Sequence, residues 1–162
     1  MGRGGFSGGV HWGIASNNNA IFAPIADTAY SESDKALSRA GLYALDPISG
    51  ETLWATQAVD VCEEKDEPAC DPGLSAAVTA TKDMVFAGAF DGHLRAYDAL
   101  NGDIIWDFNT NKEFVSVNGE IAKGGAIESD GPIIYDGHVI VNSGYSFGSM
   151  MPGNALLVFS TD

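Results

Sequence analysis

Basic residues are scarce in this sequence, which has 8 lysines and arginines against 22 aspartates and glutamates. The formal net charge is therefore −14 at pH 7. Binding to nucleic acid depends on clustered Lys and Arg side chains, which neutralise phosphates and release their counterions. We expect no nucleic acid partner.

Long apolar runs are also missing, since none approaches the roughly 18 residues that a membrane helix needs. We therefore expect no membrane segment. The glycine-rich start MGRGGFSGGVHWG is too briefly apolar for a secretory signal, so the signal of an exported parent protein is expected upstream of Met1. No stretch shows the apolar spacing of a helix, and the short alternating runs that remain indicate an all-β fold.

Cysteine is limited to Cys62 and Cys70, in the acidic segment VCEEKDEPAC. This segment has neither the C-x-x-C-H pattern of haem attachment nor the further Cys or His residues that zinc needs. We predict a loop-closing disulfide, which contributes about 2–3 kcal/mol in the chain-entropy model and indicates an oxidising compartment. Two free thiols in a reduced protein are the alternative.

An internal repeat organises the chain. Residues 42–54, LYALDPISGETLW, match residues 94–106, LRAYDALNGDIIW, at an offset of 52 residues. The matched pairs are Leu42 and Leu94, Ala44 and Ala96, Asp46 and Asp98, Gly50 and Gly102, and Trp54 and Trp106. Each copy predicts a β-hairpin in which the Asp binds the following backbone amides, the Gly supplies a positive φ, and the second strand carries the Trp.

Two further short strands precede each hairpin, so each unit is predicted to be a four-stranded meander. The predicted strands of the first unit are 10–16, 20–26, 41–46 and 52–57. Those of the second are 75–81, 84–90 and the two strands of the hairpin at 94–106. The third unit has predicted strands at 131–136, 138–144 and 155–160 and lacks its outer strand. Such units predict β-propeller blades over about 8–58, 74–110 and 123–162 of one partial propeller. A β-sandwich of about 11 strands is the alternative, but it does not require the repeat.

The hairpin pattern A-x-D-x-x-x-G-x-x-x-W resembles the tryptophan-docking motif of the eight-bladed quinoprotein (PQQ-dependent) alcohol dehydrogenases. The segments GGVHWG at 8–13, VNGEIAKGGAI at 117–127 and VNSGYSFGSMMPGNALLVFS at 141–160 are most similar to the polyvinyl-alcohol dehydrogenase group. The resemblance covers nearly the whole chain but only about three of eight blades. It therefore implies a C-terminal part of a longer propeller, with about five more repeats expected upstream.

This resemblance implies a periplasmic or extracellular enzyme that oxidises alcohols with PQQ, usually with Ca²⁺, and passes electrons to cytochrome c. It places PQQ at the propeller axis and the catalytic base and most metal ligands in other blades, so the chain alone is expected to be inactive. Whether Met1 is a native start stays open. A non-catalytic propeller of PQQ-like repeats, used as a binding or assembly scaffold, is the alternative function.

Cofactor candidates are sought before the innermost strands, because blades present these strands to the axis. In the first unit, Trp12 could stack on a planar cofactor and His11 could bind a carboxylate or quinone oxygen; packing of aromatics between blades is the alternative. In the third unit, Lys123, Gly124 and Gly125 could receive an anionic tricarboxylate such as PQQ through the ammonium and backbone amides; a solvated loop lysine is the alternative. The corresponding residues 72–75 of the second unit look chemically quiet.

The carboxylates do not form a recognisable catalytic or metal site in the sequence. Asp27, Glu32 and Asp34 lack calcium-loop spacing, and we predict that they belong to a solvated acidic loop. Asp46 and Asp98 recur in the repeat and are predicted to be structural, and Asp91–Gly92 is predicted to form a tight turn. Surface charge is predicted for Glu63, Glu64, Asp66 and Glu67.

An open arc of three blades would expose apolar end faces and an unpaired strand edge. We therefore expect the remaining propeller blades, or a second copy of the chain, as partners of these surfaces.

Overall fold

The chain folds mainly as antiparallel β-structure in a computed structural model that describes residues 2–3, 8–62, 69–145, 148 and 150–161. The first sheet contains β1 (Ala15–Ser16), β2 (Ile21–Ile25), β3 (Gly41–Leu45) and β4 (Thr52–Gln57), with helix α1 (Glu32–Leu37) between β2 and β3. The second contains β5 (Thr79–Ala80), β6 (Met84–Gly88), β7 (His93–Asp98) and β8 (Ile104–Asn109). A hairpin of β9 (Glu113–Val115) and β10 (Ile121–Lys123) precedes the third sheet of β11 (Ile133–Tyr135), β12 (His138–Ser143) and β13 (Ala155–Ser160).

Within each of the three sheets the strands are hydrogen-bonded in chain order. The first two are four-stranded meanders, and no strand among the described residues pairs with the outer edge of β13 in the third. This architecture is a partial β-propeller whose last blade lacks its outer strand, as predicted, and the β-sandwich alternative is wrong.

The two repeated hairpins have the same turn. The Asp46 carboxylate accepts hydrogen bonds from the amides of Ile48 and Ser49, at 2.8 and 2.7 Å. The Asp98 carboxylate likewise accepts bonds from the amides of the two residues at the equivalent positions, Leu100 and Asn101. The glycines that close the turns, Gly50 and Gly102, have φ angles of 73° and 78°. The structural role predicted for these Asp and Gly residues agrees with this geometry.

Neighbouring sheets pack through their apolar faces. Between the first and second sheets, Phe22 and Leu42 lie in one buried cluster with Val85 and Tyr97. Between the second and third sheets, Leu94 and Trp106 pack with residues of β12 and β13, and the Trp106 ring meets Phe159 edge-on at 5.2 Å. Burial of apolar area between successive blades is therefore the main source of stability in this arrangement.

One end of the sheets, which we call the loop face, carries nearly all of the long connections. Connections of an antiparallel meander alternate between its two ends, so the β2–β3, β6–β7 and β12–β13 connections share an end with the segments that join successive sheets. Among the described residues, the loop face is formed by 8–14, 26–40, 58–62, 69–78, 89–92, 110–132, 144–145, 148 and 150–154. The opposite end carries the short turns, including both repeated Asp-Gly turns.

A repeated hydrogen bond connects the loop face to each sheet. The amides of Ala26, Phe90 and Gly144, just beyond β2, β6 and β12, donate to the carbonyls of Gly9, Gly73 and Ala126 respectively. Two further bonds cross between blades at equivalent positions, from Leu74 N to Ile25 O and from Ile127 N to Ala89 O. The repeat visible in the sequence is thus also a repeat of backbone contacts.

Two elements differ from the sequence prediction. Lys123 was expected just before an innermost strand, but it ends β10, and residues 124–132 separate it from β11. Residues 124–132 lead from there into β11, and residues 113–123 form an additional hairpin after the outer strand β8 that was not predicted. Helix α1 is the other difference; its first turn is capped by Ser31, whose hydroxyl accepts a hydrogen bond from Asp34 N. No helix among the described residues is long and apolar enough to cross a membrane.

Candidate functional site

His11 and Trp12 lie on the loop face, on the segment that leads into the innermost strand of the first blade. Both side chains are exposed, with 47% of Trp12 accessible. Their ring centroids are 4.8 Å apart at an interplanar angle of 37°. Neither ring belongs to the buried clusters between blades. Their exposure leaves both rings accessible to a ligand.

His11 reaches across to the second blade. Its Nδ1 lies 2.8 Å from Ser75 Oγ, on the segment before β5, and the innermost strands β1 and β5 are direct neighbours. Ser75 is fully buried. The interpretation of residues 72–75 as chemically quiet was therefore wrong, because it missed a hydroxyl that can orient an exposed imidazole. No local motif marked this pair, whose members are 64 residues apart.

Lys123, Gly124 and Gly125 have a different environment. The Lys123 backbone pairs with Glu113 and bonds Asn154, while its side chain is exposed. Gly124 N donates to Lys112 O at 3.0 Å, and Gly125 N donates to Ser143 Oγ at 2.9 Å. Because both glycine amides already have protein acceptors, only the Lys123 ammonium of this set is available for an anion.

Two buried hydroxyl groups fix this glycine segment. Thr110 Oγ1 lies 2.7 Å from Ser143 Oγ and donates to Gly92 O at 2.6 Å. Ser143 Oγ donates to Gly125 O at 3.0 Å and accepts from the amide of the same glycine. These contacts connect the end of β8, the β6–β7 turn and β12, so the segment after Lys123 has a defined backbone. Sequence analysis did not identify either hydroxyl.

Asp27 is buried, contrary to its predicted place in a solvated acidic loop. It is 1% exposed, and its two carboxylate oxygens accept hydrogen bonds from the amides of Arg3 and Arg39, at 2.7 and 2.8 Å. The Arg3 guanidinium lies 3.9 Å from the same carboxylate and bonds Asp34 at 2.6 Å. Asp27 therefore organises the β2–β3 connection instead of offering a free metal ligand.

A second buried carboxylate occupies the equivalent position after β6. Asp91 Oδ2 accepts a hydrogen bond from Arg95 Nη2 at 2.9 Å, and Arg95 Nε donates to Asp107 at 3.0 Å. Asp107 also lies 2.6 Å from His93 Nδ1. Asp91 accepts a further bond from His93 N and, with Gly92, forms the predicted tight turn. This network holds the blade together and leaves no open coordination site at Asp91.

A cleft of about 590 Å³ opens between the β2–β3 connection and the segment that joins the first two blades. The disulfide Cys62–Cys70 lines it, with its Cα atoms 5.5 Å apart. The surface charges predicted between these cysteines lie outside the described residues. Burial raises the pKa of Asp71 in the same cleft, even though the amides of Gly73 and Ala29 donate to its carboxylate.

Metal-binding side chains are not grouped in the part of the chain that the structure describes. It contains no cluster of three or more His, Cys, Asp or Glu side chains that could hold an ion. The candidate site therefore consists of His11, Trp12 and Ser75, with Lys123 as a separate cation. No described hydrogen bond or ion pair joins Lys123 to the other three.

Comparison with known proteins identifies a matching family model and two similar curated sequences. A family model described as "Outer membrane protein assembly factor BamB" matches residues 38–160. A polyvinylalcohol dehydrogenase from a Pseudomonas species is 35% identical over 96% of this chain and 25% of its own length. The polyvinylalcohol dehydrogenase of Sphingopyxis sp. strain 113P3 is 34% identical over the same shares. The chain thus spans about a quarter of the length of these curated relatives.

The fold is also similar to a solved structure. The quinohemoprotein alcohol dehydrogenase of Comamonas testosteroni superposes with a TM-score of 0.56 and 24% identity. The match covers 83% of this chain and 17% of that one. At this level of identity the likeness establishes the propeller fold alone.

Proposed function

Because this chain belongs to the PQQ-repeat family of β-propellers that includes the quinoprotein alcohol dehydrogenases, we propose that it forms three adjoining blades of a PQQ-dependent alcohol dehydrogenase. One observation carries the proposal. The 35% identity to a polyvinylalcohol dehydrogenase extends over 96% of the chain, through all three blades and the segments between them. Similarity confined to the repeated hairpins would support the fold without the function.

The open surfaces of the chain support its place within a larger propeller. Leu156 and Val158 on β13 are 70% and 58% exposed, and β13 has a free outer edge among the described strands. Further blades would cover these groups and pair that edge. We therefore infer that the chain contributes part of the wall around the propeller axis and that other blades complete it.

His11 and Trp12 are the residues of this chain that fit a planar quinone cofactor. Trp12 offers an accessible ring for stacking, and His11 offers a nitrogen to an oxygen at the edge of the cofactor. Lys123 can attract the cofactor's carboxylates as an exposed cation. When bound, PQQ would supply the electron acceptor for alcohol oxidation, while this chain would hold and orient it.

Calcium does not fit the residues described here. Asp27 and Asp91 are each held by protein donors, and the described residues contain no cluster of metal ligands. We propose that the Ca²⁺ ligands and the catalytic base belong to the other blades. Cytochrome c as electron acceptor, and a periplasmic or extracellular location, belong to the same proposal. The disulfide supports the location because such bonds persist in oxidising compartments.

The decisive experiment uses the complete gene product, reconstituted with PQQ in the presence and absence of Ca²⁺. We expect reduction of an artificial dye, and of added cytochrome c, that depends on both PQQ and an alcohol. Primary alcohols, secondary alcohols and polyvinyl alcohol are to be compared as substrates. Absence of both PQQ binding and alcohol-dependent dye reduction would overturn the proposal.

A residue-level test addresses the cofactor contact. Trp12→Ala should weaken PQQ binding about tenfold, equivalent to ~1.4 kcal/mol, because it removes the stacking surface. His138→Ala is a suitable control, since His138 is an exposed aromatic side chain next to the β11–β12 turn, at the other end of the sheets. Equal losses in the two variants would contradict cofactor contact at Trp12.

A non-catalytic scaffold is the second candidate. The description of the matching family model, an outer membrane protein assembly factor, favours it. A complete gene product that folds stably and does not bind PQQ would support the scaffold over the dehydrogenase.

A further inference from the structure

The three histidines of the chain each make one hydrogen bond through Nδ1, but with different kinds of partner. His138 Nδ1 lies 2.7 Å from the carbonyl oxygen of Asp136, and His93 Nδ1 lies 2.6 Å from the carboxylate of Asp107. Both partners are acceptors, so Nδ1 must carry the proton in these two rings. His11 differs because its partner, the Ser75 hydroxyl, can also donate.

The environment of Ser75 decides the direction of its bond. The residue is fully buried, and among the described residues His11 Nδ1 is the hydrogen-bond partner of its hydroxyl. A buried O–H without an acceptor is strongly unfavourable. If His11 donated to Ser75, the hydroxyl proton would have no such acceptor. The hydroxyl therefore donates to His11 Nδ1.

We propose that Ser75 is a positioning residue that holds neutral His11 with its proton on Nε2, so that His11 offers an N–H donor to a ligand oxygen. The proton carried by one ring nitrogen is set by the hydrogen bond that the other makes. Nδ1 contacts buried Ser75 while the His11 side chain as a whole is exposed, so we infer that the Nε2–H edge, opposite Nδ1, is the part of the ring open to a ligand. The identity of the ligand, a quinone or carboxylate oxygen of PQQ, rests on the proposed function. The position of the proton on His11 does not depend on that function.

This assignment gives His11 a specific chemical role. A neutral imidazole with its proton on Nε2 can bind and polarise an oxygen, but at that nitrogen it cannot accept a proton from an alcohol. The contact crosses between blades, from residue 11 to residue 75, so the donor keeps its direction only while the first two blades stay packed. His11 is thus a binding donor, and the base must come from another residue.

Nitrogen NMR of the complete gene product, labelled with ¹⁵N at histidine and free of PQQ, tests the proton position directly. Signals are assigned by their loss in His11→Gln, His93→Gln and His138→Gln, at a pH above the imidazole titration. We expect an unprotonated Nδ1 for His11 and a protonated Nδ1 for His93 and His138. A protonated Nδ1 in His11 of the wild-type protein would overturn the proposal without any further variant.

Variants of Ser75, which donates the hydrogen bond to His11, provide a second test. Ser75→Ala should raise the fraction of His11 that carries its proton on Nδ1, while the signals of His93 and His138 stay unchanged and report an intact fold. Ser16→Ala, which removes an exposed hydroxyl from β1, should leave all three rings as they were. A Ser75→Ala protein in which the Nδ1-protonated fraction of His11 is the same as in the wild type would contradict a positioning role for Ser75.

Titration of the same samples with PQQ separates this inference from the proposed function. We expect PQQ to shift the His11 Nε2 signal and Ser75→Ala to weaken PQQ binding about fivefold, because the donor is no longer preorganised. If the tautomer is as expected but PQQ does not bind, the proposed function fails and the role of Ser75 stands. If PQQ binds equally well to both proteins, the positioning role is overturned.

Discussion

Trp54 of the first blade lies directly against Gly102 of the second. A Cβ atom at Gly102 would come within 2.5 Å of Trp54 Cε3, and Trp54 Nε1 donates to Ala99 O at 3.1 Å. The adjacent Thr56 hydroxyl donates to Gly102 O at 2.7 Å. The glycine required by the turn of one blade is thus also the contact surface for the tryptophan of the blade before it.

Gly102→Ala should therefore destabilise the chain in two ways, through backbone strain at residue 102 and through a steric clash with Trp54. The positive φ alone costs roughly 1–2 kcal/mol in an L-residue, and the blocked Trp54 contact should add about 1–3 kcal/mol typical of overpacking. Urea unfolding followed by tryptophan fluorescence measures the sum. Gly50→Ala is the matched control, because Gly50 has a φ of 73° but a Cβ atom added there would meet nothing within 4 Å. Equal losses in both variants would contradict the docking role of Gly102.

The Arg95–Asp91 ion pair offers a second prediction. Both side chains are almost completely buried, at 1% and 0% exposure. Arg95→Met would leave Asp91 without its cation, and we expect the free energy of unfolding to fall by about 3–5 kcal/mol. The double variant Arg95→Met with Asp91→Asn should recover part of that loss, since no buried charge remains. Failure of the second substitution to recover any stability would show that Arg95 acts through packing alone.

Asp71 predicts a pH dependence of stability. Burial raises its pKa above the ordinary value of 3.8, so the folded chain binds this proton more tightly than the unfolded chain. As pH rises from about 3.8 through the raised pKa, the contribution of Asp71 to the free energy of unfolding therefore decreases. The stability of the wild-type chain minus that of Asp71→Asn should fall over this window, as measured by urea unfolding at several pH values.

Asp46 provides a control, because its contribution to the free energy of unfolding should change with pH in the opposite direction. Backbone hydrogen bonds from Ser49 and Ile48 lower its pKa below 3.8, so its contribution is lost as pH falls. The stability of the wild-type chain minus that of Asp46→Asn should consequently rise with pH. Parallel pH profiles for the two aspartates would refute the assigned environment of Asp71.

The exposed face of the last blade predicts self-association of the 162-residue chain. Leu156→Lys with Val158→Lys should reduce the apparent mass in sedimentation at micromolar concentration, because charges on this face oppose apolar contact. Val117→Lys is the control, since Val117 is fully exposed in the β9–β10 turn and is not part of β13. A monomeric wild-type chain with a cooperative melt would argue against open apolar ends.

Most of the fold could be predicted from the sequence because the residues that determine it are close together in the chain and occur in two copies. The spacing of Asp46, Gly50 and Trp54 encodes a turn, and its second copy identifies the blade. The β9–β10 hairpin also has a local signal, since Asn118–Gly119 is a common hairpin turn, but it belongs to no repeated unit and the prediction missed it. Helix α1 is six residues long, too short to show a helical period.

The candidate site was less predictable because its contacts are long-range. Asp27 looks solvated in the sequence, yet its carboxylate binds amides 24 and 12 residues away. Ser75 gains its importance only from His11, in the preceding blade. Such pairs depend on how blades stack, and no period or motif in a single sequence records them.

The backbone hydrogen bonds that cross between blades, from Leu74 N to Ile25 O and from Ile127 N to Ala89 O, have an evolutionary consequence. Since both join main-chain groups at equivalent positions, this part of the joint between blades does not depend on which side chains the neighbouring blade carries. A gene for such a protein can gain, lose or exchange a blade by recombination between repeats and still encode these backbone joints. Diversity can then accumulate in the loop face while the modular framework is inherited unchanged.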